Sequence, residues 1–191
     1  MLSRKKIDEM GFMSVGEGVQ ISDRASFYGA ENITIGSHVR IDDYSVISAG
    51  RGGIAIGNYI HIAVYSSLIG KERIALADFC NISARVSIYS SSDDYSGKTL
   101  TNPTVLDDFK RVTHAPVILG KHVIIGCGTV IMPGLSIGDG AAIGALTFVT
   151  RDCDPFSIYA GVPAKKIRDR NRDLLDQEKL FLLSRNPDSK T

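Results

Sequence analysis

The chain has 191 residues, with 22 lysines and arginines against 21 acidic residues, so no charge imbalance points to nucleic acid or an anionic membrane surface as partner. Hydrophobic residues make up 43% without any run reaching the ~18 apolar residues of a membrane span, which predicts one soluble domain. Three cysteines, Cys80, Cys127 and Cys153, are an odd set without a C-x-x-C pair and predict reduced thiols in a cytoplasmic protein. The opening Met1–Lys6 is charged like the start of a signal peptide, but Asp8 and Glu9 stand where its apolar segment should begin.

In chain order, the first predicted element is a short helix from Ser3 to Met10, with Ser3 as N-cap and Gly11 as its stop, inside an N-terminal cap of residues 1–14. From Val15 an aliphatic or aromatic residue returns every six positions: Val15, Ile21, Phe27; Ile35, Ile41, Ile47; Ile56, Ile62, Leu68; Leu76, Ile82, Ile88. The beat slips by two or three residues after each third hexad. It then runs without interruption through Leu119, Ile125, Ile131, Ile137, Ile143 and Val149, four of them followed directly by glycine. Helices have a period of 3.6 and strands of 2, so neither gives six; a hexapeptide beat is the signature of a parallel β-helix. Slips confined to every third hexad predict coils with three flat sides, about six of them in residues 15–163. At the ~4.8 Å spacing of paired strands they form a prism about 30 Å tall.

One interruption breaks the prism. Between Ile88 and Leu119 the chain adds a loop, residues 93–118, holding Asp93, Asp94, Tyr95, Pro103, Asp107, Asp108 and His114. Long excursions from a rigid repeat usually carry function. Beyond Pro163, residues 164–185 space Ile167, Leu174, Leu175, Phe181 and Leu182 in a near-helical pattern, which predicts an amphipathic helix within a C-terminal segment of 164–191. Its expected place is over the open end of the prism, where a sheet edge needs cover.

The run Ile124-Ile125-Gly126-Cys127-Gly128-Thr129-Val130-Ile131-Met132-Pro133-Gly134, then Ile137–Ala145, Val149–Asp152 and Tyr159-Ala160-Gly161-Val162-Pro163-Ala164-Lys165 resembles the hexapeptide-repeat acyltransferases. The nearest branch contains the galactoside, maltose and surface-polysaccharide acetyltransferases. The resemblance spans residues 15–170. It implies an all-β fold, a left-handed parallel β-helix, and a homotrimeric acetyltransferase with active sites between subunits. Acetyl-CoA is the implied co-substrate and a sugar or nucleotide-sugar the implied acceptor. By motif position, Cys127 and Ala145 resemble backbone contacts to the pantetheine arm. Thr150, Arg151, Lys165 and Arg168 match positions that bind the pantetheine and the phosphate end.

The catalytic centre departs from the galactoside branch, where a histidine ends the strand before the long loop. Aligning through Ile82 and Ile88 puts Asp93 there, and a carboxylate is a weak base unless burial raises its pKa. Among the four histidines, His38 and His122 lie in turn-like contexts and are expected at the surface. His114 reaches a cleft only if the loop folds back. His61, at the corner between the first and second sides of coil three, is the expected general base, with Asp93 or Asp94 of an adjacent subunit orienting its imidazole and a backbone N–H near the late-coil glycines binding the oxyanion. The spacings between successive histidines, 23, 53 and 8, lack the close pair that the zinc carbonic anhydrases of this fold use, so no metal site is expected. The alternative reading is a non-catalytic trimeric β-helix that serves as a binding or assembly module.

Overall fold

A computed structural model of the chain describes residues 1–185. The hexads form three parallel sheets, one on each side of a prism. The first side is built from strands such as Ile33–Ile35, Ile54–Ile56, Ile74–Leu76 and Val117–Leu119; the second from Arg40–Ile41, His61–Ile62, Asn81–Ile82 and Ile124–Ile125; the third from Val46–Ala49, Ser67–Gly70, Ser87–Tyr89 and Val130–Ile131. Six coils are complete. A seventh is begun by the bridge of Cys153 to Ile137 and by Ser157–Ala160 on the second side. The fold is a left-handed parallel β-helix.

The beat has a steric cause. Each sixth side chain points inward and sits on its counterpart one coil away, as Ile41, Ile62, Ile82 and Ile125 do in register, all with no solvent exposure. Burying one such side chain contributes about 1.5–3 kcal/mol. The following residue is small because the next coil passes over it: a Cβ on Gly126 would lie 2.5 Å from the Ala145 amide nitrogen, and one on Gly36 would lie 2.5 Å from the Gly57 carbonyl oxygen. Where the chain enters the third side, Ser45, Ser66, Thr129 and Thr147 are buried, and each donates its hydroxyl to a main-chain carbonyl; no buried side-chain nitrogen or oxygen among the described residues lacks a partner.

Helix α1 (Arg4–Glu9) forms as expected, with the Ser3 hydroxyl accepting from the Lys6 amide and Gly11 in the left-handed region. It closes the N-terminal end by burying Ile7, while the Leu2 amide bonds Ile21 of the first coil.

The C-terminal segment differs from expectation. Lys165–Asp169 is a strand, running back antiparallel along Ser157–Ala160 after the Gly161–Pro163 turn; the free edge of the second side needs backbone partners, and this segment supplies them. Only Leu174–Arg185 is helical (α2), and it has no buried residue. Nor does it cover the prism's end. It lies along the edge between the first and second sides, over a ladder of left-handed corner residues, His38, Tyr59, Phe79 and His122, whose rings stack at 4.9–5.0 Å. Phe181 meets Tyr59 and Phe79 edge-on, and Glu178 accepts from Lys121 Nζ and pairs with His122 Nε2, both at 2.8 Å. His122 is therefore shielded, with its side chain 11% exposed, rather than a surface residue. Residues 186–191 of the expected tail lie outside the described residues.

Candidate active site

The long loop is a folded arm. Ser91–Asp93 pairs antiparallel with Val112–His114, and the arm rejoins the prism by Val117, which is fully buried, two residues earlier than the hexad count placed it. Between this hairpin and the outer face of the third side lies a cleft of about 810 Å³. Its floor comes from four coils: Ile69 of the third, Tyr89 of the fourth, Val130 and Met132 of the fifth and Phe148 of the sixth. Ser91, Ser92, Asp93 and Tyr95 of the arm give it a polar rim.

Asp93 opens into this cleft, whereas its neighbour does not. Asp94 accepts from the Ser96 amide and hydroxyl and from Thr99, and these bonds, those of Ser96 first, hold its carboxyl below the usual aspartate range. Asp94 shapes the arm, and it is absent from the cleft lining. The arm also folds back far enough to bring His114 Nδ1 to 2.8 Å from the hydroxyl of cleft-lining Ser91.

His61 is elsewhere. It begins the second-side strand of coil three, and within one chain it does not meet Asp93. Its Nε2 lies 2.8 Å from Asp42 of the coil below, whose other carboxylate oxygen accepts from Arg40 at 2.7 Å. Burial alone would push Asp42 up, but these two hydrogen bonds outweigh it and hold the carboxyl below its usual range. An imidazole that donates through Nε2 keeps Nδ1 as a proton acceptor. Sequence reasoning missed Asp42, although Arg40 and His61 occupy the same hexad position one coil apart.

The residues expected at the donor end border the same third side. Cys127 and Ala145 are exposed on the edge where the chain enters it, one directly above the other, with the Leu146 amide bonded to the Cys127 carbonyl. Lys165 pairs with Ala160 near the top of that edge, Arg168 with Ile158 on the second side, and Thr150 and Arg151 stand at the opposite margin. The six residues thus flank one face instead of gathering on one edge. Nearby cations are already engaged: Arg170 donates to the carbonyls of His122 and Gly140, Lys166 pairs with Asp154 and Asp169, and Arg172 lies over Phe156. Among the described residues, the side chains of Arg151, Lys165 and Arg168 make no hydrogen bond or ion pair, which leaves them open to an anionic ligand.

The amides at and beside the late-coil glycines fall into two groups. The N–H groups of Gly126, Gly138, Gly140 and Gly144 are all committed to carbonyls of adjacent coils, because each glycine lies under a passing strand; no backbone acceptor serves Cys127 or Ala145. Among the described residues, no thiol is hydrogen-bonded to a basic side chain; those of Cys80 and Cys153 face main-chain carbonyls. Burial pushes Cys80 up to about 12 and Cys153 up to about 11.

A folded arm thus lies over one face of a hexapeptide prism, with free cations at its C-terminal end. A profile of the family described as bacterial transferase hexapeptide (six repeats) matches residues 116–151. The chain is 53% identical over 180 residues, 94% of either chain, to a dTDP-4-amino-4,6-dideoxy-D-glucose acyltransferase of Escherichia coli. It superposes with a TM-score of 0.93, at 44% identity and over 97% of both chains, on AntD, an N-acyltransferase from Bacillus cereus in complex with dTDP and 3-hydroxybutyryl-CoA. A variant of AntD has been crystallised with dTDP-4-amino-4,6-dideoxyglucose and coenzyme A. Over 56 residues, 29% of this chain and 28% of the relative, it is 46% identical to galactoside O-acetyltransferase of Escherichia coli strain K12. The chain belongs to the hexapeptide-repeat acyltransferases and is an enzyme that moves an acyl group from an acyl-CoA. No helix among the described residues is long and apolar enough to cross a membrane.

Proposed function

We propose that this enzyme acylates the 4-amino group of a dTDP-4-amino-4,6-dideoxyhexose, taking the acyl group from acetyl-CoA, and that it works as a homotrimer in the cytoplasm, supplying sugars for surface polysaccharide. The observation that carries this reading is a free carboxylate, Asp93, at the polar rim of a cleft whose floor runs from the middle coils to the donor-end coils. A carboxylate attracts an ammonium and, once the nitrogen has lost a proton, accepts from its remaining N–H and aims the lone pair along the cleft.

The donor enters from the C-terminal coils. Arg151, Lys165 and Arg168 take its phosphates, Thr150 and the free amides of Cys127 and Ala145 bond the pantetheine arm, and one of those amides faces the thioester oxygen as it gains charge. The amine attacks the thioester carbon directly. The C–N bond forms, the C–S bond breaks, and coenzyme A leaves with the electron pair and finally a proton. His61 joins the reaction through a neighbouring subunit that sets its second side against this third side; there Nδ1 takes the proton from the attacking nitrogen while Asp42 holds the ring. Asp94 acts through the shape of the arm.

The test is acyl transfer followed by thiol release, with dTDP-4-amino-4,6-dideoxyglucose beside its 4-hydroxy counterpart. Turnover with the amine at least 100-fold above the hydroxyl sugar is expected. Equal rates, or no turnover at millimolar substrates, would overturn the assignment, the latter in favour of a non-catalytic trimeric module.

A further inference from the structure

Two edges of the prism carry aromatic ladders, and among the described residues of the chain only one is covered by the chain itself. The first-edge ladder lies under α2. On the edge between the second and third sides, Tyr44 and Tyr65 stack at 4.9 Å with rings 14° from parallel, and they remain 45% and 54% exposed. Arg85 takes the same corner position one coil above, and all three residues have φ near +60°, a conformation that costs a non-glycine side chain energy and turns it outward. Arg24, one coil below, donates to the Tyr44 hydroxyl and to Asp43. The guanidinium of Arg85 has no partner among the described residues.

From this edge a continuous path leads into the cleft. Two residues beyond Tyr65 and Arg85, the hydroxyls of Ser67 and Ser87 meet at 3.2 Å on the outer face. Two residues further, Ile69 and Tyr89 line the cleft. Arg85 to Tyr89 spans about 13 Å at the rise of a strand, with Asp93 beyond. A nucleotide sugar has that form: a flat base, a diphosphate, and a sugar whose reacting nitrogen is at the far end.

We infer that the nucleotide half of the acceptor lies along coils three and four, its base on the Tyr44–Tyr65 stack, its diphosphate against Arg85 above the Ser67–Ser87 pair, and its amino sugar at Asp93. Aromatic faces take a base by stacking, and an unpaired arginine takes a diphosphate in a forked geometry. The donor then occupies coils five to seven, and the two substrates meet over Met132 and Phe148. This placement rests on the nucleotide-sugar reading above.

Calorimetric titration with dTDP and with thymidine, using the intact enzyme, tests it. Tyr65→Ala should weaken both ligands by about tenfold or more, in line with the worth of one stacked base, and Tyr65→Phe should restore them. Arg85→Gln should weaken dTDP by a similar factor and leave thymidine unchanged. Affinity for acetyl-CoA should stay the same throughout. Wild-type binding of dTDP with unaltered affinity in Tyr65→Ala and Arg85→Gln would overturn the placement alone; no wild-type binding of dTDP would overturn it together with the nucleotide-sugar reading. Loss of the oligomer in Tyr65→Ala, with dTDP binding retained in Arg85→Gln, would make the stack a subunit contact and also overturn the placement.

Discussion

Asp93 and Asp94 share a chemistry and differ in their surroundings. The carboxylate of Asp94 is satisfied by Ser96 and Thr99, while that of Asp93 opens into the cleft. Asp93→Asn should therefore lower kcat/KM for the amino sugar by about 10–100-fold, the worth of one charge-assisted hydrogen bond, without changing the KM for acetyl-CoA. Asp94→Asn should instead loosen the arm, read as faster amide exchange over residues 94–100. The sign of its pH dependence follows from the lowered folded-state pKa. Its anchoring is complete above the ordinary aspartate value and fades as pH falls through the depressed one, so the wild-type arm should loosen only in acid. His61→Ala should lower kcat by about 10²–10⁴ at a fixed pH with saturating acetyl-CoA, while acetyl-CoA binding stays intact. Near wild-type turnover in His61→Ala beside a collapse in His114→Ala would move the base into the arm, which already holds His114 against Ser91.

At the scale of elements, the prism was legible because each inward position repeats one physical demand, an aliphatic side chain on a stack, often followed by a residue small enough to pass under the next coil. Ile82 and Ile88 even carried the register as far as Asp93. Elements held by single contacts were not legible. Residues 165–169 contain one apolar residue, Ile167, and nothing in their spacing separates a helix start from a strand recruited to a free sheet edge. Helix α2 misled for a related reason: it docks through Phe181 and Glu178 on an edge ladder, not through an apolar stripe. His38 and His122 share a hexad place, which was visible; that their rings belong to one stack under a helix was not. The Glu178 carboxyl is held below its ordinary range, chiefly by the Lys121 hydrogen bond, with burial opposing and His122 adding. Its grip on α2 is thus present above the ordinary glutamate pKa and lost as pH falls through the lowered value. Glu178→Gln and Phe181→Ala should each speed hydrogen exchange in 174–185 at neutral pH while leaving the melting of the prism unchanged; a drop in the melting temperature would show instead that α2 is integral to the β-helix.

For the molecule as a whole, the site residues lie on different sides of one prism. Asp93 opens over the third side, while His61 stands on the second, fixed to Asp42. The rigidity of stacked coils prevents them from closing on each other, so a shared reaction requires at least two copies of the chain, which the homotrimer proposed above would supply with closed cyclic symmetry. Sedimentation at micromolar protein should give three times the mass of one chain. The sharper test is complementation. Neither His61→Ala nor Asp93→Asn alone has an intact site, but trimers assembled from both variants contain interfaces where one subunit supplies His61 and its neighbour Asp93. Random assembly of equal amounts restores about one quarter of such interfaces, so the co-refolded mixture should regain roughly that fraction of wild-type activity. Separately refolded and then mixed variants should regain none until subunits exchange. If co-refolding yields no activity beyond the sum of the two variants while sedimentation still shows mixed trimers, the two residues do not act across an interface, and the nitrogen must lose its proton to a group of the cleft itself or to the departing thiolate.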